Sequence, residues 1–159
     1  RELSQLLRPV ILDDFGLDAG LRWLAEKFSQ RTNIAADYES TFSTRLAEET
    51  ETHLFRIAQE ALTNVARHSG ATRVEIRLTQ NDGTVRLRIA DNGKGMPGAV
   101  PEAGLGMVGM RARAHHAGGE MSLHPSPGGG LTIEVWAPRT FSSHDTHEPE
   151  QEDAHPVSR

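Results

Sequence analysis

Glu60, Asn64 and His68 recur at intervals of four, a spacing that on a helix stacks a carboxylate, an amide and an imidazole along one edge. Such a set can be a solvated polar stripe. It can also aim hard oxygen donors at one point, which suits Mg²⁺, an ion that keeps several waters and takes its other bonds from one or two protein groups and substrate phosphates. A second candidate follows at Asp91, where Asn92, Gly93, Lys94 and Gly95 come next. Asp-Asn-Gly is ordinary turn composition. Read as a site, it sets a strand-end carboxylate beside backbone with no side chains to obstruct a flat ligand, a good acceptor for an exocyclic amine such as that of adenine. That bond discriminates, because an analogue without the amine leaves a buried acceptor unpaired.

The third candidate is the triplet Gly104, Gly106 and Gly109, which formally matches a dinucleotide-binding fingerprint. Its context does not, since that fingerprint follows a strand directly and here a Pro-containing loop precedes it. The Walker sequence is absent as well. What remains is the mechanism such loops share, in which glycine N–H groups at a helix N-terminus form an anion site for phosphates. The whole run from Asp91 to Gly109 is dense in glycine and proline, residues that are costly in regular elements, and close approach of a ligand to the backbone is the simplest physical reason.

These residues need elements to position them. Leu17, Leu21, Leu24, Ala25 and Phe28 predict a helix over about 18–31, after a turn at Asp13, Asp14 and Gly16. Residues 34–38 read as a short strand. A second helix opens near Ala47 with Glu48, Glu49 and Glu51 in its first turn, as the macrodipole favours, buries Leu54, Ile57, Ala58, Ala61, Leu62 and Val65, and ends near Gly70. The period then changes to two. Val74, Ile76 and Leu78, then Val85, Leu87 and Ile89, alternate with charged residues around Asn81-Asp82-Gly83, which reads as a hairpin whose second strand runs into Asp91. A helix over 107–117 and strands over 120–124 and 131–137 complete the folded part. Helices and a mostly antiparallel sheet segregated in this way predict an α+β fold, a two-layer sandwich with helices on one face.

The chain has 159 residues, no cysteine and a formal charge of −5. It is long enough for one domain with a real core, and a hydrophobic fraction of 36% leaves room for a disordered part. The acidic balance argues against a nucleic-acid footprint. Disulfides, thiolate zinc sites and cysteine nucleophiles are excluded, which suits a reducing, cytoplasmic setting. No apolar run approaches the ~20 residues that cross a bilayer, so no membrane contact is expected of this piece. It opens on Arg1 in what reads as a helix end and is read as part of something longer.

Leu54-Phe-Arg-Ile-Ala-Gln-Glu-Ala-Leu-Thr-Asn-Val-Ala-Arg-His68 resembles the N box of the GHKL ATPases, Asp91-Asn-Gly-Lys-Gly95 the first glycine box, and Gly104-Leu-Gly-Met-Val-Gly109 the second. Leu7-Arg-Pro-Val-Ile-Leu-Asp-Asp-Phe-Gly-Leu17 is similar to the segment that joins dimerisation helices to the ATPase domain in sensor histidine kinases of the nitrate-sensor and DesK type. The resemblance implies the Bergerat fold, with residues 1–16 as helix end and linker, 17–138 as the ATP-binding catalytic domain and 139–159 as a disordered acidic tail. It implies a histidine kinase that binds ATP with Mg²⁺. Asn64 would hold the metal, Glu60 would orient its water shell or act as a base, and His68 would reach phosphate. Asp91 would read adenine, with room from Gly93 and Gly95; Met96, Gly104, Leu105, Gly106 and Gly109 would line the lid, its hinge and the phosphates.

Thr132 is the residue near the family's Ser or Thr, although Leu131 occupies the place where many members carry it. The family's phosphoacceptor His, followed by an acid on a dimerisation helix, is missing; His144-Asp145 has the dipeptide but sits in the acidic tail. The implied partners are therefore a histidine-bearing dimerisation domain and, indirectly, a LuxR-type response regulator. An anti-sigma serine kinase and a conformational ATPase clamp of the same superfamily are the alternatives.

Overall fold

The computed structural model describes residues 9–42, 44–95 and 106–139. The stretch read as a lid, with Met96, Gly104 and Leu105, lies outside the described residues, as do residues 1–8 and 140–159. The chain runs α1 (Val10–Thr32), β1 (Ala35–Ser40), α2 (Glu48–Asn64), a π-helical turn (Val65–Ser69), β2 (Arg73–Asn81), β3 (Thr84–Asp91), α3 (Met107–His116), β4 (Glu120–Pro125) and β5 (Leu131–Pro138). The strands form one sheet in the order β1-β2-β3-β5-β4. Among the described strands only β1 and β2 run parallel, as a pair joined through the crossover helix α2 can; the other pairs are antiparallel. The expected α+β, two-layer architecture is the one observed.

Strand parity determines which side chains meet the helices. Ile76, Ile89 and Ile133 stand side by side across β2, β3 and β5, and Leu78, Leu87 and Val135 form the next row. All are buried against the helix layer. The alternate positions face outward and carry charge, with Arg88 3.7 Å and His124 3.3 Å from the Glu134 carboxylate, and Arg73 2.7 Å from Asp37. Helix α2 contributes the fully buried Leu54, Phe55, Ile57 and Ala58. It packs on β3 and β5, with α1 and α3 on either side. Burying a Leu, Ile or Phe in this way is worth roughly 1.5–3 kcal/mol.

The N-terminal helix departs from the sequence expectation. Helical backbone begins at Val10, and the expected turn shrinks to one residue, Gly16, at φ 83° and ψ −174°. A break in a helix exposes polar groups on both sides, and one ion pair satisfies them. The Glu51 carboxylate accepts from Leu17 N at 3.1 Å, which caps the restarted helix. Arg45 Nη2 donates to Leu12 O at 2.8 Å, which closes the end before the break. The two side chains join through Arg45 Nε and Glu51 Oε2 at 3.2 Å and Arg45 Nη2 and Glu51 Oε1 at 3.1 Å. Glu51 therefore does more than favour the dipole of its own helix; at 1% exposure it ties α2 to α1. A Cβ on Gly16 would also lie 2.7 Å from Arg45 Cδ, so the site requires glycine twice over. The strand expected over 34–38 forms at Ala35–Ser40, after Asn33 turns the chain in the left-handed region at φ 58°.

Two predictions follow from this packing. Glu51→Gln keeps size and removes charge, and it should lower the unfolding free energy by about 2 kcal/mol at unchanged m-value in urea titrations. The second concerns His53, whose ring centroid lies 5.7 Å from that of His116 and whose Nδ1 is buried with no partner among the described residues. Burial, then the neighbouring Arg113 and His116, hold its pKa below the ordinary imidazole value, against a smaller pull from Glu49. The unfolded chain takes up a proton that the folded one resists. This contribution is therefore complete above about pH 6.5 and is lost as the pH falls below it. The urea midpoint should fall between pH 7.5 and 5.5, and less steeply in His53→Gln.

Candidate functional site

A cavity of about 390 Å³ opens where the end of α2 and the start of α3 overhang the sheet. Its walls are apolar, from Ala61 and Val65 on the helix side, Ile89, Leu131 and Ile133 on the sheet, and Met107 at the start of α3. Asp91 supplies a carboxylate at 6% exposure, and Arg67, His68 and Lys94 supply cationic or titratable groups. Asn64 completes the lining from the last position of α2. Volume and composition both suit a small organic ligand held by apolar walls and a few polar groups.

Parity explains why Asp91 belongs to this cavity. It follows Ile89 by two positions and so faces the helix layer, where strand β3 ends and leaves space above it. Its Oδ1 accepts from Gly93 N at 2.8 Å, which leaves a second carboxylate oxygen as an acceptor for a ligand. Asn92 anchors the same turn from the other side, accepting from Thr72 N at 2.9 Å and Arg73 N at 3.0 Å.

The glycines of this turn have a packing reason of their own. A Cβ on Gly93 would collide with Ser69 O and lie 2.8 Å from Ser69 Cβ; Lys94 N donates to the same Ser69 O at 2.9 Å. Gly95, at φ 68°, sits where a Cβ would be 3.1 Å from Gly130 O, and a Cβ on Gly130 would collide with Asp91 O. These glycines let the end of α2, the Asp91 turn and the start of β5 meet backbone to backbone. Room for a ligand results from that junction.

At the end of α2 the helix widens into the π turn, which Ser69 Oγ secures by donating to Val65 O at 2.6 Å before Gly70 ends it at φ 65°. In this wider turn a spacing of four no longer sets His68 directly over Asn64. Both line the cavity, His68 from an exposed position, whereas half-buried Glu60 lines a neighbouring cleft with Gly106 and Gly109. Gly106 precedes α3 at φ 74°, and a Cβ there would collide with the Glu60 carboxylate. Gly109 has no heavy atom within 4 Å of where a Cβ would stand, so nothing among the described residues requires glycine there.

Thr132 does not join the cavity. It lies on the opposite parity from Leu131 and Ile133, is 0% exposed, and has Oγ1 2.8 Å from Ser126 Oγ; Leu131 is the neighbour that lines the cavity. Sequence reading passed over Arg67 and Lys94 as site residues, although Arg67 adjoins His68 and Lys94 stands between two glycines. It also passed over the apolar walls, whose signal was the same strand alternation that located the core.

The donor set can be weighed against a metal. No group of three or more His, Asp or Glu among the described residues could hold an ion by itself. Asn64 offers one hard oxygen and Glu60 lies near, a set that fits Mg²⁺ only where substrate phosphates and water complete the shell. Gly93→Ala should open the junction. The Lys94 amide should lose most of its hydrogen-exchange protection, and the melting temperature should drop by several degrees, for a cost of roughly 1–3 kcal/mol.

Comparison with known proteins places this geometry. Residues 49–140 match the family model of histidine kinase-, DNA gyrase B- and HSP90-like ATPases. The chain is 37% identical over 145 residues to the sensor histidine kinase MctS of Rhizobium johnstonii, covering 88% of this chain and 31% of that protein. It is 34% identical over 143 residues to the oxygen sensor histidine kinase NreB of Staphylococcus carnosus, covering 88% and 41%. The chain thus spans about a third to two fifths of the length of these relatives. Among solved structures, the ATP binding domain of PrrB from Mycobacterium tuberculosis superposes with a TM-score of 0.61 at 26% identity, covering 79% of this chain and 92% of that one. The blue-light activated histidine kinase EL346 of Erythrobacter litoralis, at TM-score 0.68 and 22% identity over 77% of this chain and 42% of that one, shares the fold. With Asn64 and His68 of the first box, Asp91, Lys94 and Gly95 of the second and Met107 of the third bordering one cavity, the chain belongs to the histidine kinase-, DNA gyrase B- and HSP90-like ATPase family, as an ATP-binding domain like those of sensor histidine kinases.

Proposed function

We propose that this chain is the catalytic half of a two-component histidine kinase, which binds ATP with Mg²⁺ and delivers the γ-phosphoryl group to an imidazole on a separate dimerisation domain. The observation that carries this reading is the buried Asp91 carboxylate in an apolar cavity lined also by Arg67, His68 and Lys94. The ring of adenine is flat and apolar on both faces, so Ile89, Ile133, Leu131 and Met107 suit it, while the free oxygen of Asp91 accepts from its amine. Gly93 and Gly95 keep the Asp91 turn close to the purine edge. The triphosphate then extends past Asn64 towards the start of α3, where His68, Arg67 and Lys94 neutralise charge and Gly106 and Gly109 belong to the neighbouring cleft.

Phosphoryl transfer asks mainly for positioning and charge neutralisation. The acceptor imidazole nitrogen forms the new bond to the γ-phosphorus as the bond to the β–γ bridging oxygen breaks, and ADP leaves. Glu60, held against Gly106 beside the cavity, is placed to take the imidazole proton or to orient it. Mg²⁺, when bound, supplies positive charge to the phosphates, and the Asn64 amide oxygen is the protein group that would hold it. The lid residues Met96, Gly104 and Leu105 complete the reading from outside the described residues. Leu131, rather than Thr132, is the residue of that pair assigned to the purine side.

The partners of this reading are the histidine-bearing dimerisation domain and, through it, a LuxR-type response regulator, in the cytoplasm. Among the described residues no helix is long and apolar enough to cross a membrane.

Calorimetry with Mg²⁺ present should show ATP binding in the micromolar-to-millimolar range. Asp91→Asn should weaken it at least a hundredfold, about 3 kcal/mol, and equal affinity in variant and parent would refute the adenine assignment. Mixed with a dimerisation fragment carrying an acceptor histidine, the chain should place acid-labile phosphate on that fragment. Transfer to serine instead would move it to the serine-kinase branch.

A further inference from the structure

Beside the cavity lies a larger cleft of about 830 Å³, walled by α1, α2 and α3. Four arginines line it, Arg31 from the last turn of α1, Arg56 and Arg67 from α2 and its π turn, and Arg113 from α3. Glu60 is the one carboxylate among the described lining residues. In a chain of net charge −5 these four guanidinium groups make the cleft locally cationic. Arg56 and Arg113 stand close enough that burial and then the Arg113 charge hold the Arg56 pKa below its ordinary value. Guanidinium groups gathered along one half-buried cleft give it a positive potential that attracts an anion.

The same chain carries such an anion. Residues 145–153 hold Asp145, Glu148, Glu150, Glu152 and Asp153, with no Lys or Arg among them. Chain geometry brings this stretch within reach. Strand β5 ends at Pro138, whose Cγ would lie 3.3 Å from a Cβ on Gly118, just past the end of α3. Arg113 is five positions before Gly118, roughly 8 Å at helical rise. Asp145 is six positions after Arg139, a stretch that can span about 20 Å, so the acidic run can start at Arg113 and lie along the cleft.

We propose that the arginine-lined cleft between α1, α2 and α3 is an anion-binding groove that takes the acidic stretch Asp145–Asp153 of its own chain. The occupant is selected by charge and proximity. Five carboxylates face four guanidinium groups, and tethering raises the local concentration of the acidic run far above that of any free partner. Arg67 borders both this groove and the smaller cavity, so the docked stretch lies next to the Asp91 site.

The absence of cysteine makes the test direct. A nitroxide attached at Thr146→Cys in the full 159-residue chain should broaden the backbone amide signals of Arg56, Gln59, Gly109 and Arg113 at low ionic strength. The broadening should vanish near 1 M salt, where the Debye length is about 3 Å. It should also vanish when Asp145→Asn, Glu148→Gln, Glu150→Gln, Glu152→Gln and Asp153→Asn are combined, changes that leave the described domain intact. Arg56→Gln with Arg113→Gln should reduce it, whereas Arg77→Gln with Arg86→Gln, on the open face of the sheet, should not. Absence of broadening at these amides at low salt would overturn the proposal. So would broadening that persists after the five acidic residues are neutralised, or that is centred on the open sheet face. Broadening of an isotope-labelled, unspinned chain mixed with a spin-labelled one would assign the groove to a second copy and overturn the intramolecular assignment.

Discussion

The structure depends on a junction without side chains. Ser69 O, at the end of the π turn, accepts from Lys94 N, while Gly93 lies against Ser69 and Gly130 lies against Asp91. Three backbone segments from distant parts of the chain meet here, and a Cβ at Gly93 or Gly130 would hold them apart. Because the order β3-β5-β4 returns the chain from the sheet edge into the space beside β3, the start of β5 arrives next to Asp91. The helix end, the carboxylate and the apolar floor of the cavity are positioned together by this one packing constraint.

The opposite end of the molecule is held by charge. The Arg45–Glu51 pair caps one half of the broken α1, closes the other and joins both to α2. Arg45 remains half-exposed, which lowers the desolvation cost that a fully buried pair would carry. Helix α2 is thus anchored by an ion pair near its start and by backbone contacts at its end. Its buried face of Leu54, Ile57, Ala58, Ala61 and Leu62 holds the register between them, and the polar edge with Glu60 and Asn64 is presented where α3 begins.

Parity and helical period have unequal reach in this fold. Strand alternation placed Val74, Ile76, Leu78, Val85, Leu87 and Ile89 in the core, and the same rule extended by one step puts Asp91 and Leu131 at the cavity and turns Thr132 away from it. Helical spacing was less exact for the site. A spacing of four suggested one edge for Glu60, Asn64 and His68, but the π turn intervenes after Asn64, and Glu60 lines a different hollow from the other two.

The amino-acid sequence by itself determined the elements, their layering and the chemistry on offer, because hydrophobic period, turn residues and the three family boxes are local signals. It placed the Asp82-Gly83 hairpin and the end of helical backbone at Gly70, and it singled out Asp91 and Asn64, both of which line the cavity. Only the tertiary structure decided why Gly93 and Gly130 must be glycine, why Glu51 is buried, and that Arg67 and Lys94 border the same cavity as Asp91. Each of these depends on segments far apart in the chain, such as Ser69 against Gly93 or Leu17 against Glu51. A collision between two backbones, or a carboxylate capping another helix, leaves no periodic trace in either segment. It exists once the sheet order has brought the segments together.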